Sequence, residues 1–226
     1  MKTYIVADIH GEYEKLIDCL KQVNFDYEND TLIQLGDIVD RGENSYLCIE
    51  ELLKINRLIS IKGNHDDEWL NYLERKGTAL WEFGARQTLM SYEVENINPE
   101  VHYNFFKNQL LYYIDEENNL FVHGGFNRHY DITDEIHNSK QTLIWDRDLL
   151  SSAMNYQRMT NKEYPFKIKG NFKNIFIGHT PSPHFIDEPI PMFIENIILL
   201  DTGCGKGDYP LTIMDLETKQ YWQSKC

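Results

Sequence analysis

Short apolar runs alternate with amphipathic stretches over the first third of the chain. Residues 3–7 form a β-rich run, and residues 12–23 carry Leu16, Leu20 and Val23 at helical spacing, with Tyr13 on the same face. Residues 31–35 read as a second strand, 44–56 as a second helix with Cys48, Ile49, Leu52 and Leu53 inward, and 58–62 as a third strand. This β-α-β-α-β order predicts parallel strands joined by right-handed crossovers.

The pattern then changes. Residues 66–110 hold few strand signals and read as an inserted helical lobe, with helices expected at 67–76, at 79–92 and from Pro99 onward. Residues 111–115 and 119–122 flank an acidic, Asn-rich turn and predict a hairpin. Residues 149–159 are weakly helical, and 174–177, 197–200 and 211–215 are further strands, with Tyr221 ending one more. Residues 160–173 and 181–196 read as loops.

Composition adjusts this picture in two ways. A length of 226 residues suits one catalytic domain, 1–226, carrying the lobe. A formal net charge of −14 argues against a protein that grips nucleic acid by broad phosphate neutralisation. No apolar run reaches the roughly 18 residues of a membrane span, and Asp8 interrupts any secretion-signal core. The cysteines at 19, 48, 204 and 226 form no C-x-x-C pair, so reduced thiols in a cytoplasmic protein are expected.

The candidate chemistry sits at the strand ends. The first three strands run into Asp8-Ile-His10, Gly36-Asp37 and Gly63-Asn64-His65-Asp66, and two later ones into His123-Gly124-Gly125 and Gly178-His179-Thr180. In open parallel sheets the C-terminal strand edges converge on one crevice. Carboxylates with imidazoles and few thiolates suit a pair of divalent transition metals.

These segments, with the unbroken Gly36-Asp37-Ile-Val-Asp40-Arg41-Gly42, resemble the motif series of calcineurin-like metallophosphoesterases. They are most similar to the phosphoprotein phosphatase branch, namely small phage and bacterial Ser/Thr phosphatases and diadenosine-tetraphosphate hydrolases. The resemblance implies an α/β sandwich of two mixed β-sheets flanked by helices, in four αββα layers with a helical insertion. It implies two divalent metal ions, with manganese, Mn2+, expected and Fe, Zn or Ni as alternatives. One would be held by Asp8, His10 and Asp37, the other by Asp37, Asn64, His123 and His179. His65 would protonate the leaving oxygen, oriented by Asp40. Arg41, Arg147 and Asn64 would bind the phosphate, Arg147 through Trp145-Asp146-Arg147, which is similar to a Trp-x-Arg segment of the phage and bacterial enzymes. Asp201 is expected either behind a ligating histidine or, equally, as a turn or cap Asp.

The function expected on this basis is metal-dependent hydrolysis of phosphomonoesters, first of phosphoserine or phosphothreonine in proteins. A symmetrical dinucleoside-polyphosphate hydrolase is the alternative, and an inert metal-binding scaffold is the alternative of another class. The third motif ends in Asp66 where the protein phosphatases usually carry Glu, which weakens the phosphoprotein reading. Gly203-Cys204-Gly205-Lys206-Gly207 lacks the spacing of a phosphate-binding P-loop, and no helix is expected after it. His102, His129, His137 and His184 match no motif and are expected on the surface or in loops. The expected partner is a phosphorylated protein or small phosphate ester, with no nucleic acid and no membrane.

Overall fold

The computed structural model describes residues 1–75, 84–93 and 99–225. Two five-stranded mixed sheets carry the fold. The first runs β10(Tyr221–Gln223), β9(Thr212–Asp215), β1(Thr3–Val6), β2(Thr31–Gln34) and β3(Arg57–Ser60) across its width. The second runs β4(Tyr112–Ile114), β5(Leu120–Val122), β6(Ile175–Ile177), β8(Ile197–Leu199) and β7(Met192–Ile194). β1, β2 and β3 are parallel, with α1(Tyr13–Gln22) and α2(Ser45–Leu52) as the crossovers between them. β5, β6 and β8 are likewise parallel, while β4 pairs antiparallel with β5 as the expected hairpin.

The two-residue period of the strands decides what each sheet face meets. Ile5, Ile33, Phe121, Phe176, Ile198 and Met214 point between the sheets and form one buried core. Phe121 and Phe176 stack there with ring centroids 5.0 Å apart. The alternate residues Tyr4, Val6 and Leu32 pack outward against Leu16 and Leu20 of α1 and Ile49 and Leu52 of α2. On the far side, Leu120, Val122, Ile175, Ile177 and Leu199 pack against Leu143 of α6(Lys140–Trp145) and Leu149 and Ala153 of α7(Asp148–Arg158). The result is the four-layer order of helices, sheet, sheet and helices.

Among the described residues, three helices lie between β3 and β4: α3(Asn64–Arg75), α4(Ala85–Glu93) and α5(Pro99–Asn108). α3 begins earlier than the expected residue 67, which places Asn64 and His65 in its first turn. The first part of the helix expected at 79–92 lies outside the described residues, and its end is α4. The aromatic side chains of this region serve the core: Trp69 is buried, and Tyr72, Tyr92 and Phe105 pack beside it.

α6 lies in a stretch to which the sequence assigned no element, and β7 inside an expected loop. α6 escaped because six residues are too few to show a helical period, though Ser139 caps it by accepting from the Thr142 N–H. β7 falls in the expected loop 181–196. Pro189 and Pro191 lie just before it, and its pairing with β8 is tertiary. His102 is a correction: it is 1% exposed, on the inner face of α5, bonded to Tyr92 Oη at 2.8 Å and to Glu50 Oε1 at 2.7 Å. His129 and His184 are exposed, as expected.

Cys19, Cys48 and Cys204 are buried free thiols. Among the described residues no helix is long and apolar enough to cross a membrane.

Candidate metal centre

The C-terminal ends of β1, β2, β5 and β6 and the loop after β3 meet at one place. Asp8 and His10 follow β1, Asp37 follows β2, Asn64 and His65 follow β3, His123 follows β5, and His179 follows β6. All are buried. Five non-glycine residues here adopt a left-handed backbone: His10, Asp37, Asp40, Arg41 and His179, with φ from 49° to 72°. Each such residue costs about 1–3 kcal/mol and persists only where its surroundings over-determine it. Gly63 is one of those surroundings. A Cβ there would stand 2.1 Å from Asp37 Oδ1, so the close approach of the two loops requires glycine.

Asp37 is the centre of the arrangement. Its carboxylate belongs to two clusters whose ligand atoms lie within 4.8 Å of one another, His10–Asp37–His65 and Asp37–His123–His179. Asp37 Oδ2 lies 3.8 Å from His10 Nε2 and 3.4 Å from His123 Nε2, while its Oδ1 accepts from the His65 N–H at 2.9 Å. Asp8 Oδ2 is 3.8 Å from His10 Nε2, and Asp8 Oδ1 accepts from the His179 N–H at 3.0 Å. Asn64 Oδ1 is 3.1 Å from His123 Nε2.

The imidazoles are turned inward by their outer nitrogens. His10 Nδ1 donates to the Val39 carbonyl at 2.9 Å, and His123 Nδ1 to the Leu35 carbonyl at 2.7 Å. Nδ1–H on a carbonyl leaves Nε2 as the ligand atom. His10 Nε2 and His179 Nε2 are buried without a hydrogen-bond partner. Buried polar atoms are nearly always satisfied, so two orphaned nitrogens facing two carboxylates fit cations between them.

The charges of the metal-free chain agree. Burial, and next the nearby Arg41, hold the His10 imidazole well below its ordinary range. Burial and His123 push His179 down to about 2. Burial opposes charge on Asp37 most, yet His123, His65 and His10 together outweigh it and hold that carboxyl well below the usual range. Asp8 is raised well above it, by burial and then by Asp201. Burial likewise disfavours charge on His123, but Asp37 and Asp8 overcome this and raise it to about 9. A proton on His123 thus takes the position that a cation beside Asp37 would fill.

A second group adjoins the triads. His65 Nδ1 and Asp40 Oδ2 are 2.7 Å apart, and Asp40 Oδ1 accepts from the Thr88 hydroxyl at 2.8 Å. Thr88 Oγ1 also accepts from the Asp40 N–H, and the Gly84 carbonyl accepts from the Arg41 N–H. The segment bearing α4 therefore holds the Asp40–Arg41 turn. Arg41 Nη2 lies 3.3 Å from His65 Nε2, so guanidinium and imidazole address the same point. Arg147 is exposed at the start of α7 and is among the cations that depress His179.

Of the two readings of Asp201, the turn is the one its hydrogen bond serves. Asp201 is buried beside the site, but its carboxylate accepts from the Gly203 N–H at 2.8 Å and tightens the turn after β8. Backbone carbonyls of Val39 and Leu35 take the other role. Thr88 and Gln109 were not marked by any motif. Gln109 donates to Asp66 Oδ2 at 2.9 Å, and Asp66 Oδ1 accepts from the Ile38 N–H at 2.8 Å, behind Asp37. Asp66 thus has a structural use within its motif, whereas Thr88 and Gln109 carry no signal beyond their distant positions in the chain.

Two mixed sheets whose edges deliver paired His/Asp clusters around one shared carboxylate define a metal-dependent phosphoesterase. The chain belongs to the calcineurin-like phosphoesterase family, whose pattern matches residues 1–204. It is 26% identical to the symmetrical bis(5'-nucleosyl)-tetraphosphatase of Aggregatibacter actinomycetemcomitans, over 98% of this chain and 96% of that one. It is 24% identical to the asymmetrical bis(5'-nucleosyl)-tetraphosphatase PrpE of Bacillus cereus, over 92% and 87%. Serine/threonine-protein phosphatase 1 of Salmonella typhimurium is 33% identical over 34% of this chain, and the match spans about a third of that relative's length, 36%.

Proposed function

We propose that the chain hydrolyses dinucleoside polyphosphates such as diadenosine tetraphosphate, cutting symmetrically, with manganese as the working ion. The chemistry rests on the two buried clusters sharing Asp37. The substrate rests on coverage: the tetraphosphatases of Aggregatibacter actinomycetemcomitans and Bacillus cereus align over 96% and 87% of their length, the protein phosphatase over 36%. That reverses the order expected from the motifs, where phosphoserine or phosphothreonine came first. Nearly all the motifs are common to both activities.

The residues that would hold the metals are Asp8, His10 and Asp37 on one side, and Asp37, Asn64, His123 and His179 on the other. Bound there, a pair of divalent ions supplies positive charge for phosphate oxygens and lowers the pKa of water. The chain's own groups do the rest. Arg41 and Arg147 present guanidinium forks that match phosphate oxygens. Asn64 contributes a neutral oxygen, so the cluster keeps net positive charge for an anionic substrate. Asp40 holds the Nδ1–H of His65 and turns Nε2 towards the phosphate; in the imidazolium form the Nε2–H proton passes to the departing oxygen and leaves the neutral Nδ1–H imidazole.

The test is a parallel assay at matched enzyme and manganese concentrations. Diadenosine tetraphosphate, a phosphoserine peptide and p-nitrophenyl phosphate are compared by kcat/KM. The expected result is the highest value for diadenosine tetraphosphate, with ADP as sole nucleotide product. ATP with AMP would make the cut asymmetrical, and faster turnover of the phosphopeptide would overturn the substrate assignment.

A further inference from the structure

The loop 203–207, which fails as a P-loop by sequence, is packed against the site. A Cβ at Gly205 would stand 2.6 Å from His10 Cβ and 3.4 Å from Arg41 Cβ, so the backbone closes directly on a ligand-type residue and on the phosphate-gripping arginine. The Lys206 N–H donates to the Gly203 carbonyl at 3.0 Å, and Gly203 is tied to Asp201, so the turn has a fixed shape. The Lys206 side chain then stands exposed at the rim.

Three cations from separate segments gather there: Arg41 after β2, Arg147 before α7 and Lys206 after β8. Their fields overlap. Burial and then Arg41 depress the Lys206 ammonium, with Arg147 acting in the same direction. His184, on the short turn Ser182–His184, is lowered by burial and then by both Lys206 and Arg147. Asp201 and Asp8 pull the Lys206 ammonium the other way without offsetting the shift. In a chain with a net charge of −14, mutually repelling cations beside a phosphate site call for an anion larger than one phosphate.

We propose that Lys206 binds a second phosphate, contiguous with the one held by Arg41 and Arg147, and so selects substrates with consecutive phosphates over simple phosphomonoesters. For the class of substrate this rests on the hydrolase reading above. A lysine suits the role, because it meets phosphate as a point charge and tolerates several chain geometries.

The experiment is calorimetric titration of the intact enzyme, at fixed free manganese, with inorganic tripolyphosphate and with orthophosphate. Wild-type protein should bind tripolyphosphate the more tightly. Lys206→Gln should weaken tripolyphosphate by about tenfold, the loss of one charge-assisted contact, and orthophosphate by less than about twofold. Lys206→Arg should keep the preference. Equal weakening of both ligands, or no weakening of either, overturns the inference. Diadenosine tetraphosphate hydrolysis is read separately. Loss of tripolyphosphate preference in an enzyme that does not cleave diadenosine tetraphosphate would refute the hydrolase reading and leave the Lys206 subsite standing.

Discussion

If His65 protonates the leaving oxygen, its removal must matter in proportion to how badly that oxygen needs a proton. An alkoxide is a poor leaving group, whereas p-nitrophenolate departs unaided. General-acid catalysis is worth about 100- to 10,000-fold. His65→Asn should therefore lower kcat on an alkyl phosphate such as glycerol 2-phosphate by about that factor, and on p-nitrophenyl phosphate by less than about tenfold. Asp40→Asn keeps an acceptor for the Thr88 hydroxyl but removes the carboxylate 2.7 Å from His65 Nδ1. A hydrogen bond to a charged group is worth about 1.5–3 kcal/mol, so this variant should lose about 10- to 150-fold on the alkyl substrate. Metal content, read by mass spectrometry of the intact holoenzyme, guards the inference, because His65 also falls in one of the two ligand clusters. Both variants should retain most of their metal. Equal losses on the two substrates together with lost metal would make His65 a ligand. Full activity of His65→Asn on the alkyl phosphate would refute the acid role altogether.

Two further outcomes follow from the same geometry. Thr88→Val removes a buried hydroxyl that both donates to and accepts from Asp40. It should cost about 1–3 kcal/mol of stability, seen as a lowered Tm, and should slow turnover without removing metal; an unchanged Tm would contradict it. For the metal-free protein, the His123 imidazole is raised to about 9, above its ordinary 6.5. The proton is bound more tightly in the folded state, so this stabilisation is complete below pH 6.5 and is lost as pH rises towards 9. The raised Asp8 carboxyl acts in the same direction. Tm of the metal-free chain should therefore fall between pH 6.5 and 9, and His123→Asn should flatten the slope; a rising Tm over that window would contradict the charge assignment.

Much of this site was legible because its residues lie where strands end. The Asp8, Asp37, His123 and His179 positions follow apolar runs long enough to be read as strands, and parallel sheets force such ends together. The two-sheet sandwich came from the family resemblance of the motifs; in the structure, Ile5 and Phe121 alternate with Tyr4 and Leu120 to face different cores. What stayed hidden depends on approach across long sequence distances. Thr88 reaches Asp40 from the inserted helices, and Lys206 reaches the Arg41 side of the crevice from the loop after β8. Neither carries a local pattern. Asp201 stayed open because an Asp at a strand end signals a turn as well as a site, and here the turn claims its carboxylate. His102 misled because a lone histidine shows nothing of the Glu50 and Tyr92 that bury with it.

The central claim is that one carboxylate, Asp37, organises two metal positions and that hydrolysis needs both. Equilibrium dialysis against manganese, with activity on diadenosine tetraphosphate read from the same samples, tests it directly. Wild-type protein should reach two ions per chain, with activity rising as the second position fills. Asp37→Ala should bind at most one ion and lose activity by about 1,000-fold or more, the several kcal/mol that metal charge contributes. Full activity at one ion per chain, or an Asp37→Ala protein that still holds two ions and turns over substrate, would contradict the account.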